Sequence, residues 1–261
     1  MKSSEMIKKL FGLFLVSAFA FLLLCCAYVP PSTLPLGSET ELPSVSGEDT
    51  QAPDTQEEKK KNVRIMIDAG HGERDPGAMA TYDGVTYKEK DINLSVALLL
   101  RDELSVRGYT VFLTREDDLS MLNGRDNIAE IKARCELALE LEADLYISLH
   151  CNSFEGDARA YGPIVFYRGK ANYQAKEFAE ILKSSIDEGM EGYPDTRECR
   201  VKRDDDYAVL KTDSMPTLLF EMGFITDRSD AMQLIDEQWQ SALARAVTDG
   251  IDVMYEKKYI D

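Results

Sequence analysis

Beyond residue 62 the chain alternates between short continuous apolar runs and longer stretches in which apolar residues return every three or four positions. Runs of the first kind read as buried strands, the second as amphipathic helices. Strands are predicted over residues 63–67, where Val63-Arg64-Ile65-Met66-Ile67 stops at Asp68, and over 109–114, 145–149, 162–167 and 217–220. Helices are predicted over 90–107, ending at Gly108 as a capping glycine, and over 126–141, 171–186, 229–235 and 238–255. The polar stretch 190–206 reads as a surface loop. Alternating strands and helices indicate an α/β sheet with helices on both faces. In such sheets ligands bind outside the carboxyl ends of the strands, so chemically capable side chains should follow strands directly.

Residues 1–61 follow another pattern. Lys2, Lys8 and Lys9 precede an uncharged, mostly apolar stretch from 10 to 29. A basic start followed by such a segment addresses a chain to the secretory membrane. About 20 apolar residues can cross a bilayer as a helix, so an uncleaved anchor with its basic end inside is one reading. A lipid anchor is the other, because Leu22-Leu23-Leu24-Cys25-Cys26 resembles a lipobox; simple secretion is the third. Each places the remainder outside the cytoplasm. Residues 30–61 are rich in Pro, Ser, Thr, Glu and Asp and nearly lack large apolar side chains. They cannot bury enough surface to offset ordering entropy and read as a disordered acidic linker. The chain thus divides into a membrane-addressing segment (1–29), a linker (30–61) and a single catalytic domain (62–257).

Composition narrows the function. Hydrophobic residues make up 44% of the 261, enough for a real core, and the net charge is −17. Nucleic acid, whose phosphates call for a basic face, is not an expected partner. Of five cysteines, Cys135, Cys151 and Cys199 match no metal-binding or disulfide spacing and read as small buried apolar residues.

The chain has only two histidines, and each closes a predicted strand. His71 follows the run ending Ile67-Asp68-Ala69-Gly70 and lies between two glycines; His150 follows Tyr146-Ile147-Ser148-Leu149. A third strand, Pro216-Thr217-Leu218-Leu219-Phe220, delivers Glu221. Three strand ends therefore bring His, His and Glu to one rim, which points to a metal or acid–base site. Histidine and carboxylate ligands suit zinc, and a catalytic zinc keeps three protein ligands and one open position. The third ligand must be a carboxylate; Glu73, Asp75, Glu89, Asp91 and Glu221 are candidates, and spacing does not choose among them.

The residues also resemble the zinc-dependent N-acetylmuramoyl-L-alanine amidases of type 3. Ile67-Asp68-Ala69-Gly70-His71-Gly72 with Asp75-Pro76-Gly77-Ala78 looks like the first metal motif. Lys88-Glu89-Lys90-Asp91-Ile92-Asn93-Leu94 looks like the second, Leu113-Thr114-Arg115 like a strand-end Thr-Arg motif, and Ser148-Leu149-His150-Cys151-Asn152-Ser153 like the third. Phe220-Glu221-Met222-Gly223-Phe224 looks like the segment that carries the catalytic glutamate. The resemblance implies a twisted, mixed, largely parallel sheet flanked by helices. It implies zinc (Zn2+) held by His71, Glu89 and His150, with Glu221 as catalytic base and acid. The implied substrate is peptidoglycan, cut at the amide between the lactyl group of N-acetylmuramic acid and L-alanine. Arg115 is a candidate oxyanion donor, and Asn152 a candidate to orient His150 or touch the glycan. Glu73 departs from the family by standing where glycine is common, Cys151 replaces a small apolar residue, and Leu139 stands where asparagine is common. The rivals are a different zinc peptidase or deacetylase on the same rim, or a fold that only binds the wall. Whether a loop or an activator protein gates the site is left open by the sequence.

Overall fold

The computed structural model describes residues 60–124, 126–156, 160–170, 175–212 and 214–261. The membrane-addressing segment and nearly all of the linker lie outside the described residues, as does the start of the helix predicted over 171–186. Six strands form one sheet: β1 (Arg64–Ala69), β4 (Thr110–Leu113), β5 (Leu145–Asn152), β6 (Ile164–Tyr167), β7 (Arg200–Arg203) and β8 (Thr217–Phe224). They lie in the order β4-β1-β5-β8-β6-β7. The first four run parallel; β6 pairs antiparallel with β8 and parallel with β7. This is the mixed, mostly parallel sheet that the resemblance implied.

Side chains alternate across the sheet, as strand geometry requires. On one face Ile65, Ile67 and Ala69 of β1, with Leu145, Ile147, Leu149 and Cys151 of β5, pack against helices. Those helices are α1 (Glu89–Val106), α3 (Ala175–Gly189) and α5 (Glu237–Glu256). Leu100, Leu104, Leu182, Leu243 and Ile251 are fully buried there, each contributing roughly 2–3 kcal/mol by leaving water. On the other face Met66, Tyr146, Leu219 and Phe166 meet α2 (Asn127–Glu140) and a 3-10 turn, Ala208–Leu210. Helix α2 starts where Asp126 accepts the N–H groups of Ile128 and Ala129; α4 (Arg228–Leu234) and α5 are capped likewise by Asp227 and Asp236.

Two elements were not foreseen. Strand β7 lies in the stretch read as a loop, because Arg200-Val201-Lys202-Arg203 is a charged edge strand with little apolar signal. A hairpin, β2 (Met79–Tyr82) and β3 (Val85–Lys88), turns at Asp83 (φ 52°) and Gly84 (φ 81°). That Asp-Gly pair is the turn chemistry a two-residue hairpin needs and was the available signal.

Candidate metal centre

Strand register brings the site together. β1 and β5 end side by side, with Asp68 opposite Ser148, and β5 and β8 place His150 directly opposite Glu221. His71 follows β1 in the left-handed region (φ 64°), and its carbonyl accepts a 2.6 Å hydrogen bond from Arg134. Glu89 opens α1, where the helix dipole favours an anion. Its Oε2 accepts from the Ala78 N–H (2.7 Å) and its Oε1 from the Cys151 N–H (3.0 Å). Two glycines make room: a Cβ on Gly70 would lie 2.3 Å from His150 Nε2, and one on Gly77 2.5 Å from Glu89 Oε2.

The result is a compact cluster. His150 Nδ1 lies 2.8 Å and His71 Nε2 3.1 Å from Glu89 Oε1, and the three ligand atoms lie within 4.8 Å of one another. Asp75 takes the other His71 nitrogen: its Oδ2 lies 2.8 Å from Nδ1, while its Oδ1 accepts from the Gly77 N–H. A carboxylate there fixes the ring and leaves Nε2 free to ligate. Of the five candidate carboxylates, Glu89 alone joins both histidines in the cluster; Asp91 is exposed on α1. The donor set, two imidazoles and one carboxylate around a common point, fits a zinc ion.

Electrostatics separate the two glutamates. Burial pushes the Glu89 carboxyl upward, but both imidazoles outweigh it and hold the group well below the usual range. His71 shows the reciprocal effect: burial opposes its charge, yet Glu89 and Asp75 raise it to about 9. Glu221 lacks such partners. Burial, reinforced by the Glu89 charge and opposed by the histidines, raises it to about 7, and its Oε2 has no hydrogen-bond partner. A buried acid with a free oxygen beside the cluster is suited to proton transfer near neutral pH. All of these groups except Glu89 border a cavity of about 160 Å³ that runs beneath α2, past Ile131, Leu219 and Tyr207.

Asn152 and Arg115 lie apart from the cavity. Asn152 is half-buried beyond a bulge where β5 slips against β8. Arg115 is buried, and its guanidinium bonds to the carbonyls of Ala69, Gly70, Lys90 and Asp117. It fixes the loop under His71 and spends four of its five N–H donors on main-chain carbonyls. Glu73 does adopt the glycine-like conformation (φ 52°), held by its N–H to the Asp118 carbonyl (2.7 Å) and by Ser120 on its carboxylate. Cys151 is buried on the α1 face, bonded to Asn93, with a thiol that burial keeps protonated. It packs as a small apolar residue.

Beneath His71 lies a network the sequence reading did not single out as functional. Arg134 bonds to Asp68 (2.9 Å), to the Ala69 carbonyl and to Glu130, whose carboxylate in turn takes the N–H groups of Met121 and Leu122. Thr114 and Ser148 complete the shell of Asp68. Asp68, Thr114 and Ser148 lie in three separate motifs spread over 80 positions, and Arg134 and Glu130 lie in none, so their connection is not visible locally.

A parallel-centred α/β sheet that gathers two histidines, a helix-start carboxylate and a second, buried glutamate along one rim has the donors and the acid–base group a hydrolase needs. The comparisons then fix the family. Residues 65–253 match the sequence model of the N-acetylmuramoyl-L-alanine amidases of type 3, and the chain belongs to that family of enzymes. It is 36% identical to an uncharacterised Bacillus subtilis protein, YqiI, across 74% of this chain and 85% of that one. It is 31% identical to the germination-specific N-acetylmuramoyl-L-alanine amidase of Bacillus subtilis, across 72% and 77%. The fold is similar to that of the CwlD amidase from Clostridioides difficile, solved in complex with the GerS lipoprotein (TM-score 0.64, 30% identity, 75% of this chain and all of that one).

Proposed function

We propose that this enzyme uses zinc, held by His71, Glu89 and His150, to hydrolyse the bond between the N-acetylmuramoyl lactyl group and L-alanine in peptidoglycan. The carrying observation is the convergence of His71 Nε2 and His150 Nδ1 on one oxygen of Glu89, directly beside Glu221 across the β5–β8 register. An amide needs an activated nucleophile, a stabilised oxyanion and a protonated leaving nitrogen. Bound zinc supplies the Lewis acidity that polarises the carbonyl and acidifies water. The Glu221 carboxylate accepts the proton of the attacking water and passes one to the alanyl nitrogen as the C–N bond breaks. Asp75 and Arg134 hold His71 by its second nitrogen and its carbonyl. Asn152, at the strand end, is the candidate contact to the glycan.

We place the domain outside the cytoplasm, tethered by residues 1–29 through the linker 30–61. A lipoprotein partner is known for the Clostridioides difficile relative, which supports a protein partner here too. The test is digestion of purified peptidoglycan with and without a chelator, read by mass spectrometry. Lactyl-terminated glycan and intact stem peptides, lost on chelation and restored by zinc, are expected. Cleavage inside the stem peptide, or release unaffected by chelation, rejects the reading.

A further inference from the structure

Tyr207 stands in the cavity that His71, His150 and Glu221 border, one residue past the stretch 190–206 that the sequence showed as a polar loop. Its ring is held, not loose. Phe166 meets it edge-on at 5.2 Å, and the Asp204 carboxylate accepts its main-chain N–H at 3.0 Å. The same carboxylate takes the Asp206 N–H, and the Leu210 N–H closes the turn onto the Tyr207 carbonyl. Yet the residue remains 39% exposed, and among the described residues no hydrogen bond engages its hydroxyl.

A phenol fixed by packing and left unpaired at the mouth of a cavity is a prepared donor, because ordering it costs nothing further when a ligand arrives. The apolar wall behind it, from Ile131, Val209 and Leu219, takes aliphatic groups and offers little to a charged one. The Glu221 carboxylate is near enough that, after burial, it is the main influence keeping this phenol protonated, so the hydroxyl is present as a donor.

We infer that Tyr207 is a further substrate-binding residue of the amidase site, donating its hydroxyl to a carbonyl of the muramoyl-peptide next to the bond that is cut. The inference rests on the amidase reading above. One neutral hydrogen bond is worth about 1 kcal/mol, so its loss should weaken binding roughly fivefold.

The test uses the full chain loaded with zinc and carrying Glu221→Gln to stop turnover. Muramoyl dipeptide is titrated by calorimetry into that protein and into the same protein with Tyr207→Phe, which keeps the ring and its contact with Phe166. Affinity about fivefold lower, with zinc content and melting temperature unchanged, is expected. In the active enzyme Tyr207→Phe should lower kcat/KM by a similar factor, and Tyr207→Leu by at least as much. Affinity and kcat/KM both within twofold of the parent overturn the role of Tyr207 while leaving the amidase reading intact. A wild-type enzyme that does not cleave peptidoglycan, together with a Glu221→Gln protein that does not bind the dipeptide, overturns both.

Discussion

At the residue scale, two glutamates of one chemical type are given opposite proton affinities by their surroundings. Glu89 sits at a helix start among N–H donors and imidazoles and stays ionised; Glu221 is buried, keeps an unpaired oxygen and is raised to about 7. Glu221→Gln should therefore leave zinc bound and lower the rate about 10²–10⁴-fold, as loss of a general acid–base group does. Metal analysis beside a turnover assay checks both halves. A base works only when ionised, so the rate should fall as pH drops through a value at or below about 7, since a bound dication pulls the Glu221 carboxyl downward. Gly70→Ala tests the packing. Its Cβ would fall 2.3 Å from His150 Nε2, so the ring must move and zinc affinity should drop about 10–100-fold, measured by competition with a chelator.

At the scale of elements, α2 acts as a clamp on the end of β1. Arg134 reaches from the helix to Asp68, Ala69 and His71, and Glu130 holds the loop at Met121 and Leu122. Arg134→Met would strand Asp68 as an unpaired buried charge, and breaking such a pair costs about 3–5 kcal/mol. Adding Asp68→Asn removes that charge and should recover much of the loss. Urea unfolding of the two variants decides this, and equal instability would show that the pair is not what Arg134 supports. The same helix was legible in the sequence from its spacing, but its clamp was not. Glu130 and Arg134 look like ordinary surface charges of an amphipathic helix until the fold buries them.

At the scale of the whole molecule, acid stability should follow Asp68. Burial alone would raise its carboxyl, but Arg134, Ser148, His150 and Thr114 outweigh burial and hold it at about 2, against 3.8 for a free aspartate. A group lowered in the folded state stabilises above its unfolded pKa, and that contribution drains away as pH falls from about 4 to about 2. The shift corresponds to roughly 2 kcal/mol. Unfolding free energies measured from pH 6 to pH 2 should fall along this limb in the wild type and more shallowly in Asp68→Asn. Parallel curves would remove Asp68 as the cause.

The sequence by itself determined the alternation of strands and helices and singled out the two histidines and Glu221 near the carboxyl ends of strands, although β5 and β8 run on past His150 and Glu221. Each is a local matter of side-chain period or of residues adjacent in the chain. Even the metal motifs around His71, Glu89 and His150 are short and contiguous, so their likeness to the amidases could be read directly. Only the tertiary structure decided what lies between them. It set Asp75 behind His71, turned Arg115 inward onto carbonyls, buried the Asp68–Arg134 pair and set Tyr207 in the cavity wall. The physical reason is distance along the chain. Direction, burial and free hydrogen-bonding capacity arise from segments that meet only when the sheet is assembled, and no single stretch of sequence carries that information.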